Sequence, residues 1–141
     1  MPLKLSLKPG ERFVVNGAVL QNGDRRAVLL LQNKASILRE KDIIQPADVD
    51  TPAKHIYFPI MLMYLDPDAA GSAYDQFVLR MNEFMNAVRS PEILKECVSI
   101  SRDVMAADYY KALTRCRKLL TYEQGLLSNV GEAVPEDGDE D

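Results

Sequence analysis

An α+β protein is what this sequence predicts, with a small antiparallel β-sheet first, an α-helical part after it and an acidic end. Two pattern changes carry that reading. Up to about residue 45, short apolar segments are separated by turn residues such as Pro9-Gly10, Asn16-Gly17 and Asn22-Gly23-Asp24. From about residue 50, capping residues stand directly before prolines, and apolar residues recur at helical spacing.

The strands follow in order. Leu3, Leu5 and Leu7 alternate with Lys4, Ser6 and Lys8, the period of a half-buried strand. Pro9-Gly10 suits the centre of a type II turn. Arg12–Val15 is β-branched and aromatic, and Asn16-Gly17 predicts a tight hairpin because both residues tolerate positive φ. The chain returns over Ala18–Gln21. Ala27–Gln32 is a nearly continuous apolar run that predicts a central strand, and Ala35–Arg39 predicts a fifth. Together they predict a meander too small to be stable alone. Its apolar face and edges need the helices that follow or a second subunit, so a homodimer is one expected way to cover them.

Thr51-Pro52, Asp66-Pro67 and Ser90-Pro91 each pair an N-cap with proline at the first helical position, where no amide hydrogen is needed. The first predicted helix, about 52–65, has almost no polar face. Pro59 inside it predicts a kink or a late start. The second, about 72–89, presents Phe77, Met81, Phe84 and Val88. The third starts at Pro91 with Ile93, Cys97, Ile100 and Val104, then Leu113, Cys116 and Leu120, and reads either as one long helix or as two with a break near 99–103 or at Asp108. Gly125 weakens its end. The expected organisation is a β-sheet module over 1–45, a helical region over 50–130 and a disordered acidic tail over 134–141, which holds five acids and no base.

Composition narrows the function. The chain has 141 residues, one His, two Cys and no Trp. A structural zinc site takes about four N/S ligands, more than His55, Cys97 and Cys116 supply. Those cysteines are 19 residues apart on apolar stripes and predict core packing in a reducing compartment rather than a disulfide. No set of residues meets the demands of nucleophilic or acid–base catalysis, and no phosphate-cradling glycine loop is present. No enzyme, cofactor, metal or small-molecule substrate is therefore expected. The opening residues lack a signal-peptide pattern, and no run of about 18 apolar residues predicts a membrane span, so a cytoplasmic chain is expected.

Charge is uneven. The net formal charge is −4, yet residues 1–45 hold 8 basic residues against 4 acidic ones. A basic front on an acidic chain suits a polyanion. Phe13 is the only aromatic residue in the first 50, which argues against a base-stacking sheet and for contact through strand edges, Lys and Arg.

Three strings, Asn16-Gly17-Ala18, Leu38-Arg39-Glu40-Lys41-Asp42 and His55-Ile56-Tyr57-Phe58-Pro59, sit within a likeness covering nearly all of the chain but its tail. It closely resembles the FlbT family of flagellar post-transcriptional regulators. That resemblance implies a protein that binds the flagellin mRNA leader and lowers its translation, with a companion regulator, FlaF, acting in opposition. Residues 1–45, through Gly10-Glu11 and Arg39-Glu40-Lys41, are also similar to the carbon storage regulator CsrA. This implies a half-barrel that binds RNA through its first and last strands, with Leu5, Ile37 and Arg39 at matching positions. Leu7 stands where that family carries arginine, a departure that bears on GGA specificity rather than on RNA binding as such.

The function expected is repression of flagellin translation by RNA binding, with Lys4, Lys8, Arg12, Arg39 and Lys41 on phosphates and Leu5 and Ile37 on the strand edges. The competing expectation is a helical interaction module over 52–128 that grips FlaF or flagellin, with the RNA effect indirect. The apolar Ile56–Leu65 segment and Met61, Met63, Met81 and Met85 are the features that favour it.

Overall fold

The computed structural model of the chain describes residues 3–66, 68 and 70–132. Five strands lead: β1 (Leu3–Leu7), β2 (Arg12–Val15), β3 (Ala18–Gln21), β4 (Ala27–Leu31) and β5 (Ile37–Arg39). Two 3-10 turns, Glu40–Asp42 and Pro46–Asp48, connect them to four helices: α1 (Pro52–Leu65), α2 (Ala70–Ala87), α3 (Pro91–Met105) and α4 (Tyr109–Glu132). The α+β class holds. Residues 134–141 lie outside the described residues.

The strands do not form one meander. β1 pairs with β4, antiparallel with Leu5 opposite Leu29, as a separate two-stranded sheet. The second sheet runs β3-β2-β5. The β2–β3 turn is the expected one: Asn16 and Gly17 have φ of 50° and 85°, the left-handed pair that a two-residue hairpin needs. The β1–β2 connection, in contrast, does not close a hairpin. Gly10 N–H donates to Gly23 O, and Asn22 N–H donates to Glu11 O, so the turn pairs with the β3–β4 loop instead. This brings β4 back beside β1. β4 is therefore no central strand: it has one strand neighbour, and Val28, Leu29 and Leu30 are exposed.

The helical expectations hold more closely. Thr51 and Ser90 side chains accept from Lys54 N–H and Ile93 N–H, with Pro52 and Pro91 at the first helical positions. Pro67, of the Asp66-Pro67 start, lies outside the described residues. α1 neither starts late nor ends at Pro59 but runs through it to Leu65. The break falls at Asp108: Asp108 N–H reaches Asp103 O and Ala107 N–H reaches Val104 O, the reciprocal bonds of a Schellman end, with Ala107 at φ 59°. Gly125 does not end α4, which continues to Glu132.

The core is mainly helical. α1 packs on α2 and α4, and α3 packs on α4. Ile56, Ile60 and Met63 meet Phe77, Met81 and Phe84 from α2, Cys97, Ile100 and Val104 from α3, and Leu113, Cys116 and Leu119 from α4. Leu38 is the one strand residue in that cluster. The methionine stripes are thus largely interior, with Met61, Met63 and Met81 buried and Met85 partly so. Both cysteines are free and buried; burial pushes the Cys97 thiol up to about 11 and raises Cys116 as well.

Candidate nucleic-acid interface

Two tyrosines seven residues apart, two turns of α1, hold the end of the β region against the helices. The Tyr57 hydroxyl donates to Asp42 O at 2.6 Å, and burial pushes its phenol up to about 12. The Tyr64 hydroxyl accepts from Ile37 N–H at 2.7 Å and donates to Ile37 O at 2.9 Å. β5 is an edge strand, and at Ile37 Tyr64 meets its free edge. Burial raises the Tyr64 phenol too, so it stays a neutral donor.

Beside this clamp lies a groove of about 730 Å³. Leu3 and Leu5 of β1 line it, with residues 34–39, Lys41, Asp42, Asn16, Tyr64, and Tyr110 and Arg117 of α4. Among the described residues, four cationic side chains, Lys34, Arg39, Lys41 and Arg117, line the groove with one carboxylate, Asp42. Arg117 Nη2 lies 3.2 Å from Asp42 Oδ2, and the guanidinium carbon is 5.9 Å from the Tyr110 ring centre. Tyr110 and Tyr64 rings are 5.6 Å apart at 45°. Tyr110 and Arg117 are again seven apart, so they share a face of α4. Tyr110 is 49% exposed, an aromatic face open to solvent.

The predicted site residues divide. Leu5, Ile37, Arg39 and Lys41 come together in the groove, though Leu5 and Ile37 side chains are buried in its floor. Lys8 joins Arg39 and Lys41 around an adjoining hollow beside Pro9-Gly10. Lys4 and Arg12 line neither; both are exposed, and Arg12 N–H donates to Glu40 Oε1. Arg39 is the most engaged of the set. Its Nε and Nη2 grip both Glu11 oxygens at 3.0 and 2.9 Å, and Nη2 also donates to Ser6 O. It clasps β1 to the β3-β2-β5 sheet. The Arg39 guanidinium and the Lys8 amide hold the Glu11 carboxyl below the usual carboxylate range.

Lys34, Tyr64, Tyr110 and Arg117 escaped sequence reasoning. The aromatic groups missing from the front of the chain arrive from α1 and α4. The signal that could have found them is the seven-residue spacing of Tyr57 with Tyr64 and of Tyr110 with Arg117.

A second groove, of about 630 Å³, lies among α1, α2 and α4. It holds Phe84, Val88 and Leu126 with Asp50, Glu83 and Glu123 against Arg80 and Arg89. His55 lines it, its Nδ1 2.9 Å from Thr51 O; no acid orients the ring among the described contacts. Among the described residues no helix is long and apolar enough to cross a membrane.

Comparison with known proteins places the chain. The profile of the family described as flagellar protein FlbT matches residues 3–127. The flagellum biosynthesis repressor protein FlbT of Caulobacter vibrioides (strain ATCC 19089 / CIP 103742 / CB 15) is 62% identical over 139 residues, covering 99% of each chain. The probable flagellum biosynthesis repressor protein FlbT 1 of Bradyrhizobium diazoefficiens is 39% identical, covering 89% of this chain and 85% of its own. No solved structure matches. Matched along nearly its whole length by profile and by relatives alike, the chain belongs to the FlbT family.

Proposed function

We propose that this chain represses flagellum biosynthesis after transcription, by binding the flagellin mRNA leader at the groove between the strands and α1 and α4, and so blocking ribosome loading. The observation that carries the reading is the groove's charge: among the described residues, four cations against one carboxylate on a protein of net charge −4. Lys34 and Lys41 make no ion pair among the described residues, so their charge is available to phosphates. Arg39, tied to Glu11, shapes the site more than it reaches out of it. Lys8, at the adjoining hollow, extends the basic surface. Lys4 and Arg12 are outlying phosphate contacts.

The test is binding of the purified full chain to labelled flagellin leader RNA across a salt series. Affinity that falls steeply with salt supports the reading; absence of binding at low salt refutes it.

A helical-partner reading keeps one supporting observation, the apolar lining of the second groove by Phe84, Val88 and Leu126. The methionine stripes no longer favour it, being interior. Adding FlaF to the same titration separates the two readings: a FlaF-dependent RNA effect from a chain that alone binds no RNA would favour the partner. A homodimer belongs to the proposal as well. β3 and β4 leave Val19, Leu20, Val28, Leu29 and Leu30 exposed on strands with unpaired edges, a surface that a second copy would cover. Sedimentation equilibrium tests it: a monomer at high concentration would rule the dimer out.

A further inference from the structure

We propose that the groove beside β5 takes one unstacked base of the bound RNA, laid on the Tyr110 ring, with its flanking phosphates on Lys34 and Lys41. The inference rests on the RNA-binding reading and adds what the groove recognises. Phosphate binding alone asks only for cations on a surface. This groove adds a half-exposed tyrosine ring, with a second tyrosine 5.6 Å away and a guanidinium 5.9 Å from its centre. Unstacked bases are held by this chemistry, aromatic faces and arginine planes in a concave, cationic site.

The surroundings of Tyr110 are fixed in advance. Tyr64 is pinned by two hydrogen bonds to Ile37, and Arg117 is held beside Asp42. The wall at Ser36 is tied to Asn16, whose N–H donates to Ser36 O and whose Oδ1 accepts from Ser36 N–H. That leaves the Asn16 side-chain Nδ2 hydrogens without an acceptor among the described residues, on the lining of the groove, where a base carbonyl can receive one. A ring that meets fixed neighbours loses little freedom on binding. The other large groove also has a tyrosine, Tyr122, but its carboxylates outnumber its arginines, so it disfavours a phosphate.

The experiment measures leader-RNA affinity of the full chain for wild type, Tyr110→Leu and Tyr110→Phe, with RNAs carrying one abasic position at each site in turn. Leucine keeps apolar bulk and removes the stacking face; phenylalanine keeps the face. Stacking of one base predicts a loss of roughly five- to 150-fold for Tyr110→Leu and near wild-type binding for Tyr110→Phe. One abasic position should weaken wild type by a similar factor and leave Tyr110→Leu unaffected. The abasic scan needs only wild-type protein, so it decides even if the leucine variant folds poorly. If wild type binds the leader but no abasic position matters, or folded Tyr110→Leu binds as tightly, the base site is wrong and the RNA reading survives. If wild type binds no leader RNA, both fall. If AMP or UMP alone binds as tightly as the leader, the groove is a free-nucleotide site and the assignment to RNA is overturned.

Discussion

The helices bury their apolar residues against one another, whereas the strands leave many of theirs on the surface. Ile56, Ile60, Cys97, Ile100, Leu113 and Leu119 are fully buried. In β3 and β4, Val19 is 72% exposed and Leu30 is 59% exposed. The β region's own buried residues, Leu5, Leu7, Phe13, Val14 and Ile37, are few, and Leu38 alone joins the helical core. The two regions are joined by specific polar contacts, Tyr57 to Asp42 and Tyr64 to Ile37, and by Ile43 and Ile44 packed on the bundle. The contrast teaches where stability resides, and where the proposed RNA contact would have to be made. The helices supply the buried core, and the strands supply a charged, edge-rich surface fastened to it. The groove lies on that seam.

The largest effect should fall in the helices. Leu113→Ala or Ile100→Ala should cost about 2–5 kcal/mol, because each removes fully buried methyl groups and leaves a cavity. At concentrations where the chain is a monomer, Leu30→Ala on β4 should stay within about 0.5 kcal/mol, because that side chain is exposed in the single chain. Chemical denaturation of the three variants measures this. Equal costs would mean that β4 is covered in solution, as the proposed dimer would cover it.

The clasp between the sheets comes next. Arg39→Ala removes the grip on Glu11 and Ser6, so β1 and β4 should lose amide protection while the helices keep theirs. The same clasp gives a pH dependence. The folded-state pKa of Glu11 is depressed, so its contribution is complete above the unfolded-state value and is lost as pH falls through the lowered one. Hydrogen exchange should show β1 and β4 opening in acid before α1 and α4. Simultaneous loss everywhere would show one cooperative unit instead.

A smaller effect is expected at the α3–α4 corner. Ala107 occupies the left-handed position of the Schellman end, where a Cβ is strained. Ala107→Gly should stabilise by about 1 kcal/mol, read by thermal melting, without changing RNA affinity. Smallest, Lys41→Ala should weaken all RNAs alike and flatten the salt slope by about 0.7, the loss of one phosphate on a single strand.

Much of this was legible from local pattern. The Asn16-Gly17 hairpin and the Thr51 and Ser90 caps each follow from a few adjacent residues, whereas the sequence left one long helix or a break at 99–103 or Asp108 open and the structure takes the last. The pairing of β1 with β4 was not legible, because it depends on hydrogen bonds between the Gly10 turn and the residue 22–23 loop rather than on either segment alone. The apolar run of β4 suggested a central strand for the same reason: composition records a wish for burial, not the partner that provides it. Of the groove, the strand half was legible as Leu5, Ile37, Arg39 and Lys41. Tyr64, Tyr110 and Arg117 join only through the packing of α1 on α4, which brings distant helical faces to the sheet.

Hydrogen exchange on the full chain, with and without saturating flagellin leader RNA, tests the central claim most directly. The account predicts new protection over residues 34–42, β1 and the start of α4 around Tyr110–Arg117, with the α1–α2 surface around Phe84 and Val88 unchanged. Protection at Phe84, Val88 and Leu126 instead, or none anywhere while the RNA is bound, would contradict it.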